Sequence, residues 1–282
     1  MTGTNRIAVK FAELRARNEA ALIPFIVAGD PDLDSTRRLV RELAARGADL
    51  IELGVPFSDP MADGPANQRA LARGLGAGAS LAAILSMVSE LRRETQVPLV
   101  LFGYYNPIFH YGVERLTADA AKAGIDALLV VDLPPEEADE LRPHARANGL
   151  DLILLIAPTT PIERARTIAR TASGFIYYVS VAGVTGARSS LPTDLREQIV
   201  ALRAVTDIPL GVGFGISTPG QAGEVASFAD AVVVGSAVSL LIEKHGKTAD
   251  MAGAVGDLVA AMKSAMRAAR ARGPQPPERS DG

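Results

Sequence analysis

Two carboxylates, one in a short apolar run and one in the loop after it, are the clearest candidates for chemistry in this sequence. In residues 49–54 the alternation of a strand places Glu52 on the same face as Leu50, close to the end of the run. Asp63 follows eleven residues later in an Asp-Gly-Pro turn. Such a pair can act as an acid and a hydrogen-bonding base when the surroundings shift the two pKa values apart. The structural alternatives are a glutamate paired with an arginine and an ordinary turn.

Glycine-rich turns late in the chain predict a second function, the binding of an anion. Gly213 and Gly215 follow the seventh apolar run, and Gly235 with Ser236 follows the eighth. Backbone N–H groups at glycines approach an anion closely, and a helix that begins near Ser236 adds its positive end. A third glycine loop, residues 183–186, is placed to close over a ligand. Tight turns and a flexible linker are the structural alternatives.

Eight short apolar runs recur along the chain and must position these residues. Stretches of helical period lie between the runs, which favours β-then-α units over hairpins. A glycine and an aspartate recur where a helix leads into a run, at residues 47–49, 124–126 and 149–151. The pattern predicts an α/β fold, a single (β/α)8 TIM barrel with an extra N-terminal helix. A doubly wound open sheet is the weaker alternative, because its dinucleotide fingerprint is missing. The runs are 22–28, 49–55, 97–103, 126–131, 151–156, 175–180, 208–212 and 230–234.

The domain prediction is one catalytic barrel over residues 1–272, followed by a disordered tail over residues 273–282. The tail is rich in proline and charge, which is typical of disorder. Residues 1–20 alternate charged and apolar side chains as an amphipathic helix does, without a run long enough for a signal peptide or a membrane span. A cytoplasmic protein is therefore expected.

Composition excludes several kinds of chemistry. A net charge of −3 argues against nucleic-acid binding, and 48% hydrophobic residues is typical of a globular protein. There are no cysteines, and the three histidines are scattered, so neither a thiolate nucleophile nor a metal cage is expected. None of the five lysines ends a predicted strand, so a Schiff base is not expected either. Acid–base chemistry on carboxylates remains.

Residues 51–65, which contain both carboxylates, closely resemble the signature of the tryptophan synthase α subunit family. The resemblance continues through all eight units, in residues 24–25, 28–31, 104–107, 183–186 and 213–217. It implies a lyase of tryptophan biosynthesis that splits indole-3-glycerol phosphate into indole and glyceraldehyde 3-phosphate by a retro-aldol reaction. Glu52 would be the general acid–base residue at indole C3, and Asp63 would be the partner of the indole N–H. No cofactor is implied in this chain.

The same resemblance implies a set of pocket residues and a closing loop, 183–192. One departure is Val181, where many members of the family carry arginine before this loop, which leaves Arg188 as a candidate to steady it. Phosphate is expected at Gly186, Gly215, Gly235 and Ser236. The full set of implied substrate-binding residues is Phe25, Tyr104, Leu129, Tyr177, Thr185, Gly186, Phe214, Gly215, Gly235 and Ser236.

An aromatic-rich segment after the third run predicts a protein-facing surface, because more aromatic residues gather there than a small ligand needs. These residues are Phe102, Tyr104, Tyr105, Phe109 and Tyr111. The resemblance implies that the partner is the pyridoxal phosphate-dependent tryptophan synthase β subunit, in an α2β2 heterotetramer. Pro56, Asp59, Asn106 and Pro107 are expected to face it. The alternatives are a partner-free indole-glycerol phosphate lyase and a weakly catalytic barrel that mainly activates a β subunit.

Overall fold

Eight parallel strands close into a barrel in the computed structural model, which describes residues 5–179, 191–213 and 215–273. The strand order follows the chain and β1 pairs with both β2 and β8, so the predicted (β/α)8 barrel is confirmed. Each predicted run contains one strand, with bounds that differ by two residues or fewer. The strands are β1 Ala21–Val27, β2 Ile51–Gly54, β3 Leu99–Gly103, β4 Ala127–Val130, β5 Asp151–Ile156, β6 Ile176–Val179, β7 Leu210–Gly213 and β8 Ala231–Val234.

Twelve α-helices lie within the described ranges, together with a 3₁₀ turn at Ala138–Glu140. The predicted N-terminal helix is α1, and the Asn5 side chain caps its start by accepting the Ala8 N–H at 3.0 Å. The tail predicted to be disordered lies outside the described residues except for Gly273. The helices are α1 Arg6–Ala16, α2 Leu33–Ala45, α3 Pro65–Gly76, α4 Leu81–Leu91, α5 Tyr105–Tyr111, α6 Val113–Ala123, α7 Arg142–Ala147, α8 Ile162–Thr171, α9 Leu195–Arg203, α10 Pro219–Ala226, α11 Ser236–His245 and α12 Met251–Ala271.

No single helix in the described part of the chain is long and apolar enough to cross a membrane. The bent pair α3 and α4, with 92° between its members, qualifies by length and composition only.

Alternation along the strands divides the apolar core into an inner and an outer cluster. Ile23 and Leu50 belong to the cluster inside the barrel. Ile51 and Leu53 belong to the cluster that packs between the barrel and its helices. Glu52 therefore points into the barrel, as the face that it shares with Leu50 predicts.

The glycines that end three of the helices adopt the left-handed conformation expected at this position. Their φ angles are 101° at Gly47, 100° at Gly124 and 73° at Gly149. At Gly124 a Cβ would also stand 2.6 Å from the Arg92 side chain, so the arginine packs directly on the helix exit. The predicted helix-to-strand joints are confirmed at these positions.

A repeated pair of hydrogen bonds joins the strands two by two at the N-terminal rim of the barrel. A residue one to three positions before each even-numbered strand accepts, with its side chain, an N–H at the start of the preceding strand. Its own N–H returns a bond to the carbonyl of that same residue. The four side-chain bonds are Leu22 N–H to Asp49 at 2.8 Å, Leu99 N–H to Asp126 at 2.8 Å, Leu152 N–H to Ser173 at 2.9 Å and Leu210 N–H to Asp230 at 2.8 Å.

Basic side chains form ion pairs with the three aspartates of this rim. Lys263 donates to Asp49 at 2.8 Å, and Arg92 donates to Asp126 at 2.7 Å. Burial lowers the pKa of Arg92 to about 10 against the opposing effect of Asp126. Arg6 of α1 also donates to Asp126, so the extra helix is attached to the same rim. The buried lysine is thus bonded at the end of the barrel opposite the loops that follow the strands.

Asp126→Ala should lower the free energy of unfolding by roughly 2 to 4 kcal/mol, because it leaves a buried arginine and a strand N–H without their acceptor. Urea denaturation measures the loss. The matched control is Asp257→Ala, whose carboxylate is 73% exposed beside Arg46 and should contribute less than about 1 kcal/mol. Equal midpoints for the two variants would show that the rim bonds do not stabilise the barrel.

Candidate active site

Glu52 lies inside the barrel on β2, aligned with Phe25 of β1 and Val100 of β3. Its side chain is fully buried, and neither carboxylate oxygen has a hydrogen-bond partner among the described residues. Burial without a compensating donor raises the pKa of Glu52 to about 8, because the charged form loses its hydration. At neutral pH the group is therefore mainly a neutral acid that can give up a proton.

Asp63 lies in the loop after β2, directly before α3. Its backbone N–H forms a turn by donating to the Pro60 carbonyl. Its side chain is 6% exposed, and a buried carboxylate is more than an ordinary turn requires. The Tyr104 hydroxyl donates to one carboxylate oxygen at 2.7 Å, and the Asn67 amide faces the other at 3.4 Å. Burial raises the pKa of Asp63, and the bonds from Tyr104 and Asn67 oppose that rise. The two carboxylates thus have different environments, one apolar and one polar.

A single cleft at the C-terminal ends of the strands brings both carboxylates together with the predicted glycine turns. It holds about 490 Å³ of open space, including its mouth. Burial raises the pKa of Tyr177, and the charges of Glu52 and Asp63 raise it further. The lining residues are Phe25, Glu52, Asp63, Asn67, Phe102, Tyr177, Gly215, Ile216, Ser217, Val233, Gly235 and Ser236.

The start of α11 supplies the anion-binding feature of this cleft. Gly235 precedes the helix and Ser236 is its first residue, with no side-chain cap among the described residues. The first bond of the helix runs from the Ser239 N–H to the Gly235 carbonyl, so the earlier N–H groups are available to a ligand. Gly215, with φ of 87°, lines the same cleft from the turn after the neighbouring strand β7, in a conformation that favours glycine. This arrangement suits a phosphate group.

Ion pairs hold the helix that follows Asp63 against the helix that begins at Ser236. Arg73 of α3 makes two bonds, of 2.7 and 2.8 Å, to the fully buried Asp30 in the loop after β1. Arg73 and Arg69 also donate to Glu243 of α11, Arg69 with two bonds of 2.7 and 2.8 Å. The two ends of the cleft are therefore set at a fixed separation.

Some expected site residues lie away from the cleft wall or outside the described residues. Leu129 is fully buried inside the barrel, aligned with Phe102, and does not line the cleft. Tyr104 stands behind Asp63 rather than on the lining, where it also accepts the Ala62 N–H at 3.0 Å. Thr185, Gly186 and Phe214 lie outside the described ranges, as do residues 183–190 of the predicted closing loop 183–192 and the candidate Arg188 within it.

The four expected partner-facing residues differ in exposure. Asp59 and Asn106 are exposed and Pro107 is half-buried. Pro56 is buried, with its ring against Gly74 of α3, so it offers no surface to another protein in this conformation.

Sequence reasoning did not identify Asn67, Phe102, Ile216, Ser217 and Val233 as parts of the cleft. Phe102 was grouped with the aromatics of the protein-facing surface, but it is buried inside the barrel. Asn67 lies four residues after Asp63, which is one turn of a helix, so its approach to the carboxylate was available from the spacing. Ile216 and Ser217 belong to the turn after β7, in which only Phe214 and the glycines were expected to contact the substrate.

A closed barrel with a buried neutral acid, a second carboxylate and an uncapped helix N-terminus in one cleft defines a barrel enzyme with acid–base chemistry for an anionic substrate. Residues 11–268 match the family model described as "Tryptophan synthase alpha chain". A tryptophan synthase alpha chain from Geobacter sp. (strain M21) is 57% identical over 259 residues, which is 92% of this chain and 97% of the relative. The chain belongs to the tryptophan synthase alpha chain family.

Solved structures agree with this assignment. The alpha subunit from Legionella pneumophila str. Paris is 41% identical with a TM-score of 0.87, covering 94% of this chain and 99% of that one. A chain of the tryptophan synthase complex from Pyrococcus furiosus is 36% identical with a TM-score of 0.79, covering 87% and 98%. The fold, the family and the lyase activity of the α subunit, all expected from the sequence, are thereby confirmed.

The free energy of unfolding of Glu52→Gln, compared with that of wild type, should increase as the pH rises. In the unfolded chain Glu52 ionises near its ordinary pKa, whereas in the folded chain it stays protonated up to about 8. Wild-type stability is therefore lost between about pH 4.5 and pH 8, by roughly 3 to 5 kcal/mol in total, and the amide does not share this loss. Urea denaturation at several pH values measures the difference, with the exposed Glu94→Gln as control. A difference between wild type and Glu52→Gln that does not change with pH would contradict the raised pKa.

Proposed function

We propose that this chain cleaves indole-3-glycerol phosphate into indole and glyceraldehyde 3-phosphate, with Glu52 as the general acid–base residue and Asp63 as the partner of the indole N–H. The observation that carries these roles is a fully buried glutamate, with its pKa raised to about 8, in the same cleft as a helix N-terminus suited to phosphate. An acid that keeps its proton at neutral pH can protonate carbon, which an ordinary surface glutamate cannot do.

In the first step the neutral Glu52 carboxyl donates its proton to C3 of the indole ring. The ring nitrogen becomes cationic, and the Asp63 carboxylate stabilises that charge through the indole N–H. The hydrogen bonds from Tyr104 and Asn67 favour the charged form of Asp63 and oppose the effect of its burial.

In the second step the Glu52 carboxylate takes the proton from the hydroxyl on the carbon attached to indole C3. The bond between these two carbons breaks, its electrons return to the ring, and the aldehyde of glyceraldehyde 3-phosphate forms. Glu52 regains its proton, so the catalyst is unchanged after each turnover. Protonated indole serves as the electron sink, and for this reason no cofactor is proposed for this chain.

The phosphate is proposed to bind at Gly235 and Ser236, with Gly215 in the neighbouring turn after β7 and Gly186 in the closing loop. The indole ring is proposed to lie toward Asp63, beside Phe25 and Tyr177, with Thr185 and Phe214 as further contacts. The support is that Phe25, Tyr177 and Glu52 line the same cleft as the N-terminus of α11. The two ends of the substrate are thereby held on either side of the bond that breaks.

The partner is proposed to be the tryptophan synthase β subunit, which carries pyridoxal phosphate and receives indole directly, in an α2β2 assembly. Asp59, Asn106 and Pro107 face it. Two exposed apolar side chains support this surface. Met61, at 89% exposure, lies in the loop of Asp59, and Phe109, at 63% exposure, lies on α5 with Asn106 and Pro107. Apolar side chains that are exposed together can mark a surface that another protein covers.

Glu52→Gln should lower kcat for indole release by on the order of 10² to 10⁴, because the amide cannot transfer the proton. Asp63→Asn should be severely impaired as well, since the amide keeps the shape but not the charge opposite the cationic ring. Indole formation from indole-3-glycerol phosphate measures both effects, and substrate binding should persist. Asp257→Asn, an exposed amide replacement, is the control. Near-normal turnover in either site variant would remove that residue from the mechanism.

Binding of the β subunit should raise the rate of indole formation, and Phe109→Ala should weaken the response. Loss of an exposed aromatic anchor typically costs about 1 to 2 kcal/mol, so roughly tenfold more β subunit should be needed for half-maximal stimulation. Val200→Ala is the matched control, because Val200 is 61% exposed on α9 and outside the proposed surface. Rates that do not change with β-subunit concentration would favour a stand-alone lyase.

A further inference from the structure

The side chain of Asn67 lies between the two ends of the cleft. It belongs to the first turn of α3, is 9% exposed and lines the cleft. Its Nδ2 is 3.4 Å from Asp63 Oδ1, and its Oδ1 accepts the Ser239 hydroxyl at 2.9 Å. A Cβ added to Gly235 would stand 3.5 Å from the same Nδ2, so the amide packs against the backbone at the start of α11. One side chain therefore contacts both the carboxylate and the helix N-terminus.

The direction of the Asn67 amide follows from its two neighbours. A carboxylate only accepts hydrogen bonds, so the amide must turn its NH₂ group toward Asp63 and its oxygen toward Ser239. Ser239 is 1% exposed in the first turn of α11, which fixes the place of its hydroxyl. The Ser239 hydroxyl thus stabilises the one amide orientation that helps an ionised Asp63.

We propose that Asn67, oriented by Ser239, is a positioning residue that aims Asp63 into the cleft and links the indole end of the site to the helix that receives the phosphate. The inference rests on the role proposed above for Asp63. Tyr104 holds Oδ2 at 2.7 Å, whereas the contact of Oδ1 with Asn67 is longer at 3.4 Å. Oδ1 is therefore the oxygen that turns toward the indole N–H, and Asn67 limits how far it turns.

The test compares kcat and KM of the full chain for indole release in variants of this pair. Ser239→Ala should lower kcat by about 3- to 10-fold, the value of one buried hydrogen bond, with KM changed less than about twofold. Ser239→Thr keeps a hydroxyl and should restore kcat. Asn67→Ile should lower kcat at least as much, and adding Ser239→Ala to it should have no further effect because no amide remains to be oriented. Asn67→Ala replaces Asn67→Ile in the cycle if the larger side chain prevents folding.

The control for losing a buried hydroxyl is Thr117→Val on α6. Thr117 is fully buried, its hydroxyl donates to the Glu114 carbonyl, and its loss should leave kcat unchanged. Independent losses from Ser239→Ala and Asn67→Ile that multiply in the double variant would overturn the proposal. So would a lowered urea midpoint with an unchanged kcat, which indicates a structural role only. Asp63→Asn is measured in the same assay. Normal turnover in Asp63→Asn would exclude the role proposed for Asp63 itself. Lost turnover in Asp63→Asn together with normal turnover in the Asn67 variants would exclude only the positioning role of Asn67.

Discussion

The fold depends on the hydrogen-bond acceptors that the N-terminal rim of the barrel supplies to the N–H groups at the starts of its strands. A buried N–H without an acceptor costs as much as a lost hydrogen bond, and closure of the barrel removes water from this edge. The missing acceptors are side chains just before the next strand, namely those of Asp49, Asp126, Ser173 and Asp230. Since this rim is held by short bonds and ion pairs, the opposite ends of the strands can carry loops chosen for chemistry rather than for stability.

Glu52 shows what that division of roles permits. A carboxyl group inside the barrel with no donor among the described residues is unfavourable for folding, because its charged form cannot be hydrated. The same absence of a donor keeps the proton on the group at neutral pH. A nearby arginine would stabilise the folded chain and make Glu52 a poor acid. The instability predicted to increase with pH and the proposed proton transfer thus have one cause, and neither can be removed without the other.

The regular parts of the molecule could be predicted because each depends on local sequence. Alternation located the eight strands and the inner face of Glu52, and the glycine exits located the helix ends at Gly47 and Gly124. The missed features depend on contacts between distant segments. Asn67 reads as an ordinary polar residue of a surface helix until α11, 172 residues further along the chain, covers it with Ser239. Pro56 reads as an exposed loop proline until Gly74 of α3 leaves space for its ring.

These distant contacts gather on the two helices that border the cleft, α3 and α11. α3 follows the loop of Asp63, and α11 begins at the glycine turn suited to phosphate. Glu243 accepts hydrogen bonds from Arg69 and Arg73, and the Ser239 hydroxyl donates one to the Asn67 amide oxygen. A substrate held at its phosphate brings its reacting carbon to Glu52 only if the distance between the two helices is constant, since misplacement by an ångström costs about a hundredfold in rate. The polar pairs between α3 and α11 therefore assist the proposed chemistry by positioning the parts of the cleft, whereas the proposed proton transfer itself depends on Glu52.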